Sequence, residues 1–207
     1  MIRIWISSIS SSYTTLSLNE EEWSKKLSYG RANQYLFTRY LLRKLLSEVL
    51  NRTIYDVPLF APPGMPPKLL NNLGYVSISH TKTKVLLAFS TDNIGIDIEE
   101  KNRIFKTERI LNKFSKSNKK ILKKNKSKFL KEDVLRQWVI KESAVKLFEE
   151  SIFKNISKLK YNGIDSIVLN SENKKRAFIS SFDFQKYHIS IATFKPYKRQ
   201  IIICNHI

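Results

Sequence analysis

The sequence predicts an α+β fold, on three observations. Apolar residues recur at helical spacing between Arg31 and Leu50, two strand-like runs follow between Gly74 and Ser90, and a helix followed by strands recurs after Asp133.

Taken in order, Met1 to Ser12 reads as a first strand. Its apolar run is too short for a signal peptide and lacks the basic-then-apolar order of one. Ser17-Leu-Asn-Glu20 has the pattern of a capping box ahead of a short helix. In the helix predicted over Arg31 to Leu50, Leu42, Leu46 and Leu50 lie beside Leu41, Leu45 and Val49, and Asn51 is the expected stop. Arg39 and Arg43 share a face of that helix, and such a pair on its own reads as solvent-facing. Pro58 to Pro67 contains too many prolines for regular structure and is expected to be a loop or an ordered crossing. Tyr75–Ser79 and Val85–Phe89 read as a hairpin around Thr81–Lys84, with His80 at the end of its first strand.

Asn93 to Glu100 is more distinctive, because Ile94, Ile96 and Ile98 alternate with Gly95, Asp97 and Glu99. On a strand the isoleucines enter a core while Asp97 and Glu99 project together from the other face. Two neighbouring carboxylates repel unless a hard cation lies between them, and Mg²⁺ favours such oxygen ligands. Alone, this pattern also fits solvated surface acids. In the helix predicted from an N-cap at Asp133, Trp138, Glu142 and Lys146 are four apart and fall within roughly 80° of arc. Ile140, Ala144, Leu147 and Phe148 occupy a different arc suited to the core. Alone, Glu142 and Lys146 would be a helical ion pair worth roughly a few tenths of a kcal/mol. Ser166–Leu169, Ala177–Ile179, His188–Ile191 and Gln200–Cys204 alternate like strands and are expected to make an antiparallel sheet.

Composition sets the outer limits. The one cysteine, Cys204, leaves no internal disulfide, which suits a reducing cytosol, and no thiolate zinc site. No apolar segment approaches membrane-spanning length. The net charge is +19, and Lys101 to Lys131 holds 13 basic residues against the single acid Glu108. That block fits a solvated helical face, a nucleic-acid contact or an acidic protein partner, although no nucleic-acid-binding motif accompanies it.

Gly95-Ile-Asp-Ile-Glu99 and Trp138-Val-Ile-Lys-Glu-Ser-Ala-Val-Lys146, in that order and separation, resemble the paired motifs of the 4′-phosphopantetheinyl transferases. The likeness is to the long, monomeric type that activates nonribosomal peptide and polyketide synthetases. Ser77-Ile-Ser-His80, Phe37-Thr-Arg-Tyr-Leu-Leu-Arg43 and Lys113-Phe-Ser115 resemble further segments of that family, so the likeness covers most of residues 31 to 150. It implies two similar α+β lobes related by a pseudo-twofold axis, each a small antiparallel sheet packed with helices. The expected lobes are 1–93 and 94–207, the second carrying the metal site, with the active site in the cleft between them.

The implied reaction is Mg²⁺- or Mn²⁺-dependent transfer of the phosphopantetheine arm of coenzyme A to a serine of an acidic acyl or peptidyl carrier protein, in the cytoplasm. By the same resemblance, Asp97, Glu99 and Glu142 are the metal ligands, and Glu142 and Lys146 are catalytic. Arg39, Ser79, His80 and Lys146 are the coenzyme A contacts, and Trp138 and Lys141 are supports. Met65 stands where many relatives have a lysine, and Lys68 is the nearby substitute; Asn118 stands near a common acid. Weaker coenzyme A binding is the expected consequence. A Mg²⁺-dependent nuclease and a non-catalytic, basic nucleic-acid-binding protein are the alternatives from other classes.

Overall fold

The computed structural model describes residues 1–14, 17–114, 130–150, 155–162, 167–196 and 202–206. It is a mixed α/β structure whose sheets are mainly antiparallel. The chain divides into two compact units: Met1–Ile78 with Lys82–Asp92 and Ile201–Ile207, and Ser79–Thr81 with Asn93–Gln200.

In the first unit, β1 (Ile2–Ser8) is followed by α1 (Leu18–Ser24) and the long α2 (Tyr29–Leu50). Asn51 ends α2 in the left-handed conformation, φ 50° and ψ 54°, and its amide donates to the Ser47 carbonyl. Asparagine tolerates that conformation at a helix end better than most residues, so the expected stop is observed. Ser17 does precede α1, but its side chain makes no capping bond. Glu20, the other half of the expected capping box, is buried and paired with Arg43, Nη2 to Oε1 at 3.0 Å. A charged partner from another helix has outcompeted the exposed backbone amide.

The proline-rich crossing is not wholly irregular. Leu59–Phe60 (β2) pairs antiparallel with Lys68–Leu69 (β3) on either side of the turn at Gly64, whose φ is +77°. Then come β4 (Tyr75–His80) and β5 (Lys84–Ser90), the expected hairpin. Leu42, Leu45 and Leu46 of α2 pack with Trp5, Val85, Leu87 and Phe89 in the core of this unit.

The strand order β11-β1-β5-β4 contains a departure from expectation. The last strand, β11 (Ile202–His206), lies parallel to β1 with Ile4 opposite Ile203, rather than extending the antiparallel sheet of the strands that precede it. Period-two alternation identifies a strand but not its partner.

The second unit opens with β6 (Ile94–Glu100), followed by α3 (Thr107–Leu111) and α4 (Leu130–Phe148). Helix α4 begins before the expected cap, so Asp133 sits with Glu132 in its first turn, where acids favour the helix dipole. After a 3-10 turn at Ile156–Lys158, β7 (Leu159–Asn162), β8 (Ile167–Asn170), β9 (Arg176–Phe184) and β10 (Tyr187–Thr193) complete a sheet of order β6-β10-β9-β8-β7. Ile140, Ala144, Leu147 and Phe148 pack on Val168, Ala177, Ile179 and Ala192, which confirms the apolar arc predicted for this helix. Trp138 is not on a free face: it packs with Ile110, Leu111, Phe114 and Val134. Residues 115–129 of the basic block, Ser115 and Asn118 among them, lie outside the described residues.

Candidate active site

The motif strand β6 is buried on both faces. Ile94, Ile96 and Ile98 are at most 5% exposed, and Asp97 is only 2% exposed. In the antiparallel register with β10, Gly95 lies opposite Ala192, Asp97 opposite Ser190 and Glu99 opposite His188. Helix α4 covers this face, and Gly95 lets it come close. A Cβ at Gly95 would be 2.0 Å from the Ser143 carbonyl oxygen and 2.4 Å from the Leu147 nitrogen. Both atoms are backbone, so no rotamer change could make room. A buried hydroxyl pair, Ser143 to Ser190 at 2.8 Å, holds the same contact one strand over.

That approach brings the second motif over the first. Between Trp138 and Phe148 all residues are buried except Glu142 and Lys146, which keep partial exposure. Lys146 Nζ donates to Asp97 Oδ1 at 2.8 Å and to the Ile96 carbonyl at 3.0 Å. Ser79 Oγ donates to the same Asp97 oxygen at 2.6 Å and accepts from the Ile98 amide at 3.3 Å. Glu142 lies beside Asp97, near enough for the two carboxyls to share a hydrogen bond. Burial first, and the Asp97 charge second, push Glu142 up to about 8, against the opposing pull of Lys146.

The structure therefore gathers Ser79, Asp97, Glu142 and Lys146. Glu99 shares the Asp97 face of the strand but is paired with Arg103. Ser79, expected among the coenzyme A contacts, donates its hydroxyl to Asp97. His80 is exposed at the end of β4. Arg39 belongs to the first unit, where it is buried, donates Nε to the Ala61 carbonyl at 3.0 Å and lies 4.4 Å from the centre of the Tyr35 ring. Arg43 is also buried, donating to the Val57 and Leu59 carbonyls as well as to Glu20, so the solvent-facing reading of this arginine pair is overturned. Met65 is 53% exposed. Lys141 fits the supporting role: its Nζ donates to the Leu159 carbonyl at 2.8 Å and lies over the Phe114 ring.

A divalent cation suits the acidic pair. Asp97 Oδ2 is buried and has no hydrogen-bond donor when both carboxyls are ionised. A cation bound by Asp97 and Glu142 would occupy that oxygen and allow Glu142 to ionise. Among the described residues, the three potential ligands whose donor atoms lie within 4.8 Å of one another are a different set, Glu132, Asp183 and His188. Sequence reading took His188 only as a strand residue. The available signal was the two-residue turn Gln185–Lys186, which sets His188 opposite Asp183.

No curated protein matches the chain. The family model described as the 4′-phosphopantetheinyl transferase superfamily matches residues 93–200, just over half of the 207-residue chain. That span contains β6 and α4 with Asp97, Glu142 and Lys146, and it implies a transferase. With the two motifs packed against each other and more than half its length matched, the chain belongs to the 4′-phosphopantetheinyl transferase superfamily.

Proposed function

We propose that the protein transfers the 4′-phosphopantetheine group of coenzyme A to a serine of an acyl or peptidyl carrier protein, as a cytoplasmic monomer of the type serving peptide and polyketide synthetases. The observation that carries this reading is Glu142 and Lys146, one helical turn apart, both directed at Asp97. The serine hydroxyl oxygen forms a bond to the pantetheine-linked phosphorus, the bond from that phosphorus to the bridging oxygen breaks, and adenosine 3′,5′-bisphosphate leaves. Glu142, ionised once a cation is held beside it, takes the serine proton. Lys146 places positive charge beside the departing oxygen, and Ser79 fixes the orientation of Asp97. Bound by Asp97 and Glu142, with Glu99 as a third ligand once released from Arg103, Mg²⁺ or Mn²⁺ would supply charge neutralisation at the pyrophosphate. His80, Arg39 and Lys146 are the proposed phosphate contacts, on the strength of the family resemblance.

The family match gives no support to the nuclease or nucleic-acid-binding readings. No helix among the described residues is long and apolar enough to cross a membrane. Intact-protein mass spectrometry of an apo carrier protein incubated with the enzyme, coenzyme A and Mg²⁺ tests the proposal. The expected result is a gain of one phosphopantetheine, abolished by EDTA and by Glu142→Ala. No gain across several acidic carrier proteins, with coenzyme A binding intact, would overturn it.

A further inference from the structure

Two positions along β10 from Ser190, the ring of His188 is fully buried between a strand and a helix terminus. Its Nδ1 is 2.7 Å from Asp183 Oδ1 across the β9–β10 hairpin. The other Asp183 oxygen receives Lys101 Nζ at 2.9 Å and Arg136 Nη2 at 3.3 Å. With the Lys101 ammonium and the Arg136 guanidinium both on that oxygen, Asp183 is held as the carboxylate. An ionised Asp183 can only accept, so His188 Nδ1 carries the hydrogen. In the neutral ring the lone pair is then on Nε2.

That Nε2 atom is buried and makes no hydrogen bond. It is 3.7 Å from Glu132 Oε1 in the first turn of α4, too far for a hydrogen bond. It is a suitable distance for two ligands of one ion: with bonds of about 2.0–2.2 Å, tetrahedral to linear arrangements separate the ligands by roughly 3.4 to 4.2 Å. A ligating histidine whose second nitrogen donates to a carboxylate is the usual arrangement at zinc, where the carboxylate fixes the ring and raises its basicity.

We propose that the protein binds a transition-metal ion of the Zn²⁺ class through His188 Nε2 and Glu132, oriented by Asp183 and completed by water. An imidazole and one carboxylate favour Zn²⁺ over Mg²⁺, which prefers an all-oxygen set. Arg136 Nη2 is 3.6 Å from Glu132 Oε1 and partly exposed, so it turns outward when the ion enters. The ion would tie the start of α4 to the β9–β10 hairpin. It therefore stabilises the helix that carries Glu142 and Lys146 without taking part in the reaction.

The test is Zn²⁺ binding to the full chain in excess Mg²⁺, by competition with a chromophoric chelator, together with thermal unfolding with and without Zn²⁺. One Zn²⁺ per chain is expected, with a higher melting temperature. Glu132→Gln, on a partly exposed side chain, should weaken binding by at least about tenfold and remove the thermal shift while phosphopantetheine transfer continues. Unchanged Zn²⁺ binding in Glu132→Gln, or no Zn²⁺ retained by the wild type against Mg²⁺, would overturn the assignment. Neither readout depends on the transferase reaction.

Discussion

Helices α2 and α4 each carry two ionisable residues four positions apart, and the structure treats the two pairs oppositely. Arg39 and Arg43 on α2 are 8% and 6% exposed and are committed to carbonyls of the proline-rich crossing, with Arg43 also paired to Glu20. Glu142 and Lys146 on α4 keep partial exposure and converge on an acid that retains an unsatisfied oxygen. Spacing alone does not separate these cases. What separates them is completeness: the arginines hold a loop and a helix in place, whereas the acidic cluster has a demand that only an added cation or a retained proton can meet.

The largest effect that sharpens this contrast is expected from Glu142→Gln. The amide matches the uncharged form of the residue, so stability should be retained while carrier loading falls by about 10³-fold, as measured by mass spectrometry at fixed times. Arg43→Ala should do the reverse and act on the fold, costing about 3–5 kcal/mol because Glu20 is left buried without its partner. Urea denaturation followed by far-ultraviolet circular dichroism measures this, and a loss below 1 kcal/mol would remove the structural half of the comparison. Gly95→Ala should cost roughly 3 kcal/mol, since the added carbon meets backbone on α4, and should lower activity as well.

An effect that is smaller per unit of pH is expected from Lys141 on the same helix. Burial lowers Lys141 to about 7, so between about 7 and its ordinary range the unfolded chain binds more protons than the folded one. Stability should therefore rise with pH across that window, by at most about 1.4 kcal/mol per unit. Denaturation at several pH values checks this, and Lys141→Met should flatten the dependence.

Local signals were legible in the sequence and distant partners were not. Asn51 marked a helix end because its own backbone preference decides it. The alternation of Ile94 to Glu99 identified β6 because both faces of one strand are written in six residues. Ser17 and Glu20 misled because the competitor for Glu20 lies on another helix, at Arg43. The parallel pairing of β11 with β1 could not be read from either segment, since nothing in a strand's alternation names its neighbour. At the site, the motif spacing marked Asp97, Glu142 and Lys146, but the Ser79 bond to Asp97 and the pairing of Glu99 with Arg103 depend on tertiary placement.

Gly95 also bears on how this protein could be engineered. The reach from Asp97 to Lys146 is set where two main chains touch, by the absence of a side chain rather than by the choice of one. Libraries that vary the shell around the site can therefore change charge and shape while its spacing stays constant, provided position 95 is left out of the mutagenesis. Including that single codon would confound changes in specificity with displacement of the whole helix.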